Sequence, residues 1–281
     1  MINHSHYSKD SFDFYSTVVE SKRNSATNPN YKERLAQLSE PIRRLFETYD
    51  LAFQNSELES ITAEGYGGQE KKDLLALYKY NNSVLSKLLI QLTTIGERKF
   101  DSCQMCTIEP VGSFDHYLPK ENFPEYSVHP FNLFPACSKC NGKKGVFLVD
   151  QSGTRLFLNL YLDILPQVEF LQVDFEDDFP LPTFSLDTSE LSPELGEILA
   201  SHYAGLELFD RFTLSSGEVI DRLVSEAITY LEDMTFERFK IHVQRTENRM
   251  QSIYGLNYWK SVLTLSLIEH PGFMDYINDQ E

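Results

Sequence analysis

The 281-residue chain contains four cysteines, Cys103, Cys106, Cys137 and Cys140, and they fall into two Cys-x-x-Cys pairs. Such a turn lets two thiolates converge on one ion. Two turns complete the four-sulfur tetrahedral set that zinc takes in closed structural sites. A structural Zn²⁺ held there would tie the two ends of the intervening loop together, so its binding energy would be local folding energy. The paired spacing argues against four unrelated thiols, and no thioredoxin-like context supports a redox pair. Inside the loop lies Phe114-Asp115-His116-Tyr117-Leu118-Pro119-Lys120, followed by Asn132-Leu133. The second pair runs straight into Asn141-Gly142-Lys143-Lys144. A carboxylate, an imidazole and two carboxamides are thereby gathered on one metal-tied segment.

The phrases DHYLP, then NL, then CxxCNxxK, bracketed by CxxC, resemble the zinc-bearing branch of the HNH family of ββα-metal endonucleases. The resemblance is specific over residues 103–145. A looser similarity through DHYLPKENFPEYSV and FLNLYLDILPQVEFLQV extends it to HNH proteins of bacterial anti-phage systems of the Septu type, in which a nuclease works beside an ATPase. The resemblance implies roles residue by residue. His116 would take a proton from water, a task suited to an imidazole of ordinary pKa near neutrality. Asp115 and Asn141 would offer oxygen ligands to a catalytic Mg²⁺ or Mn²⁺. Asn132, the middle letter of the motif, would pin the loop and orient His116. Asn141 departs from the many relatives that carry His at the last motif position. The helix opened by the second cysteine pair would carry Lys143 and Lys144, with Lys139, toward phosphates. His129 reads as surface or loop packing, and Phe157, Tyr161 and Phe170 as core.

The elements that must position these groups follow from local pattern. Asp115 and His116 are adjacent, so a regular strand would send them to opposite faces. The strand must therefore end or bend there, as Pro119 also suggests. NPNYKERLAQLSEPIRRLFETYDLAF places apolar residues at spacings of three and four, an amphipathic helix that Pro41 is expected to kink or split. QEKKDLLALYKYNNSVLSKLLIQLTTI reads as a second helix with a broad apolar face. VFLVD and TRLFLNLYLDIL flank a turn at QSG, and FLQVDFED and PTFSLD read as short strands. Helical periodicity returns from LSPELGEILASHY, where Ser192-Pro193 with Glu194 marks a helix start.

The expected architecture is α+β, mainly helical, around a central zinc-stapled ββα-metal core. Its regions are a helical stretch over 1–100, the core over 101–150, and an acidic α/β-to-helical stretch over 151–281. The formal charge of −17 is concentrated near the C-terminus: residues 1–100 are neutral overall, 101–145 carry −1, and 146–281 carry −16. Nucleic acid would be repelled by the last part and tolerated near 137–145. The expected substrate is nucleic acid, DNA ahead of RNA, with an ATPase partner to license contact. The rivals are an RNA (tRNA-like) endonuclease on the same fold and a zinc-stapled, non-catalytic protein-binding module. No apolar run suits a membrane span and no secretory leader is visible, so the cytoplasm is the expected compartment.

Overall fold

A computed structural model describes residues 1–175 and 179–280. The chain is α+β, with eleven α-helices, two short 3-10 helices and three two-stranded sheets among the described residues. It divides into two compact units. The N-terminal unit comprises Asn3–Met105 and Glu109–Ile164, and the C-terminal unit Met1–Ile2, Cys106–Ile108 and Leu165–Glu281. The expected regions 1–100 and 101–150 thus fall largely within one unit.

In the N-terminal unit, α1 (Ser11–Glu20) is capped by the Asp10 carboxylate, which accepts from the Asp13 N–H at 2.8 Å. Helix α2 (Tyr31–Gln54) buries Leu35, Leu38, Ile42, Phe46 and Tyr49, the stripe that its periodicity predicts. Pro41 neither splits nor ends this helix. The bond that Pro41 forgoes is outweighed by an apolar face buried along the helix on both sides of it. The second predicted helix is two: α3 (Gly68–Leu75) and α4 (Ser83–Leu92). The break spans residues 76–82, and at its end the Asn82 side chain accepts from Val84 N–H at 2.8 Å and starts α4 afresh.

Two residues each form β1 (Thr94–Ile95) and β2 (Arg98–Lys99). The strands β3 (Ser113–His116) and β4 (Leu133–Ala136) pair antiparallel, with Asp115 opposite Phe134 and His116 opposite Leu133. Helix α5 (Ser138–Lys144) follows directly and packs on β3. Phe114, Leu118, Tyr126, Val128 and Leu133 join the core built by α1 and α2, so the hairpin is seated on the helices. The expected turn at QSG is present, flanked by a single bridge, Val149–Arg155, and closed by the Asp150 carboxylate accepting from Ser152 and Thr154 N–H.

In the C-terminal unit, β5 (Leu171–Phe175) and β6 (Pro182–Leu186) form a hairpin. The last two residues of the predicted strand FLQVDFED, Glu176 and Asp177, lie outside the described residues. Six helices follow: α6 (Pro193–Gly205), α7 (Leu208–Leu214), α8 (Gly217–Leu231), α9 (Phe236–Tyr254), α10 (Trp259–Glu269) and α11 (Phe273–Asn278). Helix α6 opens on the predicted Ser192 cap, whose hydroxyl accepts from Leu195 N–H at 3.3 Å. Trp259 stacks on Phe212 at 5.2 Å and meets the edge of Phe184. Asn257 stitches the hairpin to α10: its Oδ1 accepts from Phe170 and Leu171 N–H, and its Nδ2 donates to Val168 O. No helix among the described residues is long and apolar enough to cross a membrane.

Candidate metal and hydrolytic centre

The ligand atoms of Cys103, Cys106, Cys137 and Cys140 lie within 4.8 Å of one another, and all four residues are buried. Tetrahedral zinc with bonds of about 2.3 Å separates its sulfurs by about 3.8 Å, so the spacing and the soft donor set fit one zinc ion. The turns are built for thiolates. Cys137 caps α5, its sulfur accepting from Cys140 N–H at 3.3 Å, and the Cys106 sulfur accepts from Ile108 N–H at 3.5 Å. Cys103 N–H bonds to Glu109 O at 2.8 Å, closing the first turn.

Beside this cluster, β3 ends at His116, as the adjacency of Asp115 and His116 required. His116 is 6% exposed, and its Nε2 lies 2.9 Å from the Ser127 carbonyl. A carbonyl can only accept, so Nε2 carries the proton and Nδ1 keeps its lone pair. Burial holds the imidazole neutral, lowering its pKa to about 3, with Lys120 and Lys144 pushing the same way. The Tyr78 ring meets it edge-on at 4.5 Å.

Asp115 is 3% exposed. Burial pushes its carboxyl above the ordinary carboxylate range, opposed by the Lys144 ammonium 3.2 Å from Oδ2. Asn141, on α5, donates through Nδ2 to Ser113 Oγ and Phe114 O, each at 3.1 Å, which locks the helix to β3. Its Oδ1 remains the acceptor of the group. A carboxylate and a carboxamide oxygen are the donor type that Mg²⁺ takes, so these residues fit a hard cation chemically.

Asn132 is wholly buried and saturated. Its Oδ1 accepts from Leu118 N–H at 2.7 Å and from the Tyr49 hydroxyl at 3.1 Å. Its Nδ2 donates to Leu118 O at 3.0 Å and to Tyr126 O at 3.1 Å. These bonds tie both ends of the 117–132 loop, which carries the Ser127 carbonyl that His116 uses.

One lysine departs from its expected outward course. Lys144 is 1% exposed, and its ammonium turns inward to Asp115 and to the His116 and Tyr117 carbonyls. A buried carboxylate close by gave that charge a partner, which outweighs solvation. Lys139 lies 3.7 Å from Glu109, and Lys143 is half-buried. His129 is no surface residue: it is fully buried against the rings of Tyr49 (4.0 Å) and Phe46 (4.3 Å), with Nε2 3.2 Å from Asp50 Oδ1. Phe157 and Phe170 are core as expected, and Tyr161 donates its hydroxyl to Leu133 O at 2.8 Å.

Sequence reasoning missed a polar brace beneath the loop. The Tyr117 hydroxyl donates to Glu59, and Arg155 grips Asp163 with two bonds of 2.8 and 3.0 Å. It also missed Tyr78. Tyr117 and Glu59 lie 58 residues apart, and Tyr78 and His116 lie 38 apart, so no local signal marks those pairs.

No protein-family profile matches the chain, and no solved structure matches it. Two known proteins are similar. Protein ea31 of Escherichia phage lambda is 25% identical over 189 residues, covering 62% of this chain and 63% of that protein. Septu protein PtuB of Bacillus thuringiensis is 33% identical over 82 residues, covering 27% of this chain and 32% of that protein. The chain therefore spans less than two thirds of either relative, and what it shares with them is a distant likeness, to a Septu protein in one case.

Proposed function

We propose that the chain is a metal-dependent endonuclease of the HNH type that hydrolyses phosphodiester bonds, DNA by preference, in anti-phage defence beside an ATPase partner. The observation that carries this reading is the order strand, strand, helix over 113–144, with Asp115 and His116 closing the first strand and Asn141 on the helix, beside a four-thiol cluster. The likeness to a Septu protein supports the defence setting.

A bound Mg²⁺ or Mn²⁺ would neutralise the phosphate and stabilise the departing oxygen. The residues would divide the remaining work. His116 holds a lone pair on Nδ1 because Ser127 fixes the proton on Nε2, so it enters the reaction as a neutral base. Asp115 and Asn141 would present the oxygens for the ion. Asn132 keeps the loop in place and touches no reacting atom. Lys139 and Lys143, on α5, would meet the phosphate backbone. The charge of −16 beyond residue 145 opposes nucleic acid, so a partner would bring substrate to the centre.

The test is cleavage of plasmid DNA and of structured RNA by the full chain, with Mg²⁺ or Mn²⁺, with and without the proposed ATPase partner. Wild type should nick DNA chiefly with the partner present, and His116→Ala should lose that activity at least a hundredfold. Preferential cutting of RNA would select the RNA endonuclease. Equal products from wild type and His116→Ala would remove the imidazole from the chemistry and leave a protein-binding scaffold.

A further inference from the structure

We propose that Lys144 is a resident cation: its ammonium sits in the metal-free chain where a divalent ion binds at Asp115, and that ion must displace it. This rests on the hydrolytic reading above, which supplies the ion; the displacement itself comes from the geometry around Lys144. The ammonium has three protons and three oxygens to receive them: Asp115 Oδ2 at 3.2 Å, His116 O at 2.7 Å and Tyr117 O at 3.3 Å. One carboxylate and two carbonyl oxygens around a buried positive charge are also the kind of donors that hard cations choose. Asp115 and Lys144 are both nearly sealed from solvent, so the carboxylate is engaged before any metal arrives.

Two cations cannot share a buried carboxylate at such range without strong repulsion. The chain provides a way out for the ammonium. Lys144 is the last residue of α5, and Gly145 follows with φ +54, in the left-handed region that suits glycine. Val146 and Phe147 beyond it are exposed, so the end of the helix can yield without opening the core. A displaced Lys144 would point outward beside the ion, where a phosphate could accept it. Its inward position and its expected phosphate contact then become two states of one side chain. Divalent affinity would be low in the resting chain and would rise once substrate takes up the ammonium.

The experiment titrates Mn²⁺ into the zinc-loaded full chain by electron paramagnetic resonance, comparing wild type, Lys144→Gln and Asp115→Asn. Zinc content, read with a chromogenic chelator, reports that the centre is folded. Gln keeps an N–H donor and loses the charge, so Mn²⁺ should bind it about tenfold more tightly than wild type. A residue that only staples the fold predicts the opposite, weaker binding. The second measurement needs no variant: reductive methylation read by mass spectrometry should leave Lys144 protected in the zinc-loaded chain without Mn²⁺ and label it when Mn²⁺ is present. Unchanged or weaker Mn²⁺ binding by zinc-replete Lys144→Gln overturns the proposal. So does labelling of Lys144 that Mn²⁺ does not change, which also decides the matter if the Gln variant loses zinc. Mn²⁺ binding by wild type that Asp115→Asn leaves intact would overturn the hydrolytic centre itself. Binding that Asp115→Asn abolishes and Lys144→Gln leaves unchanged would overturn displacement alone.

Discussion

Removing the Asn132 side chain should loosen the centre without touching a reacting atom. Asn132→Ala deletes four hydrogen bonds, two accepted by Oδ1 and two donated by Nδ2. It leaves the Leu118 N–H, the Leu118 carbonyl and the Tyr126 carbonyl without these partners, in a place sealed from water. At about 1 kcal/mol for each lost bond, with the stranded groups adding desolvation cost, the loss comes to roughly 4 kcal/mol. For a unit of this size that is about 10 °C in Tm. The loop 117–132 should open first, and the Ser127 carbonyl leaves His116 with it. Amide exchange should therefore speed up at Leu118 and Tyr126 before α2 is affected, and cleavage should fall further than the folded fraction does. Thermal unfolding with exchange mass spectrometry measures both. A cost below about 1 kcal/mol, or exchange that rises evenly over the unit, would refute the reasoning that this one side chain closes the loop.

Three further outcomes are expected. Cys140→Ala should abolish stoichiometric zinc and speed amide exchange over 138–144, since the cap of α5 and the ion share the Cys137 sulfur; full zinc retention would contradict a four-thiol site. His116 is held neutral in the folded chain, with a pKa of about 3 against 6.5 unfolded, so the unfolded state binds more protons between those values. Its contribution is complete above pH 6.5 and is lost as pH falls toward 3. His116→Gln should flatten that part of a denaturant-measured stability profile, and an unchanged slope would contradict the assignment. In the C-terminal unit, Gly255 has φ +96 and a Cβ there would collide with the Met1 carbonyl oxygen, so Gly255→Ala should cost at least about 2 kcal/mol in urea unfolding.

Local signals were legible where local chemistry decides. The Cys-x-x-Cys pairs, the stripe of α2 and the Ser192 cap each depend on residues a few positions apart, and each appears in the fold. The end of the break between α3 and α4 was also written locally, in the Asn82 cap, but a continuous apolar pattern masked it. The turn at QSG was legible in the same way, closed by the Asp150 carboxylate, while Phe157, Leu158 and Leu160 after it are buried by packing. What could not be read were contacts over long separations. Tyr78 on His116, Asp50 beside His129 and Glu59 under Tyr117 join residues 38, 79 and 58 positions apart.

Lys144 is the instructive case, because its position in the motif was legible and its orientation was not. On sequence it belongs to an acid-free run and reads as an outward cation aimed at phosphates. The carboxylate that turns it inward lies 29 residues earlier, on the strand against which α5 packs. The hairpin fixes that meeting: Asn141 locks the helix to β3, and the next turn of the same helix delivers residue 144 to Asp115. The spacing of three between the two is therefore a packing requirement. An amide that anchors and an ammonium that reaches the carboxylate must lie on one face of one short helix, which i and i+3 satisfy. Lys144→Leu would keep a lysine one position earlier, at 143, but off that face, and would leave Asp115 buried without its counter-ion.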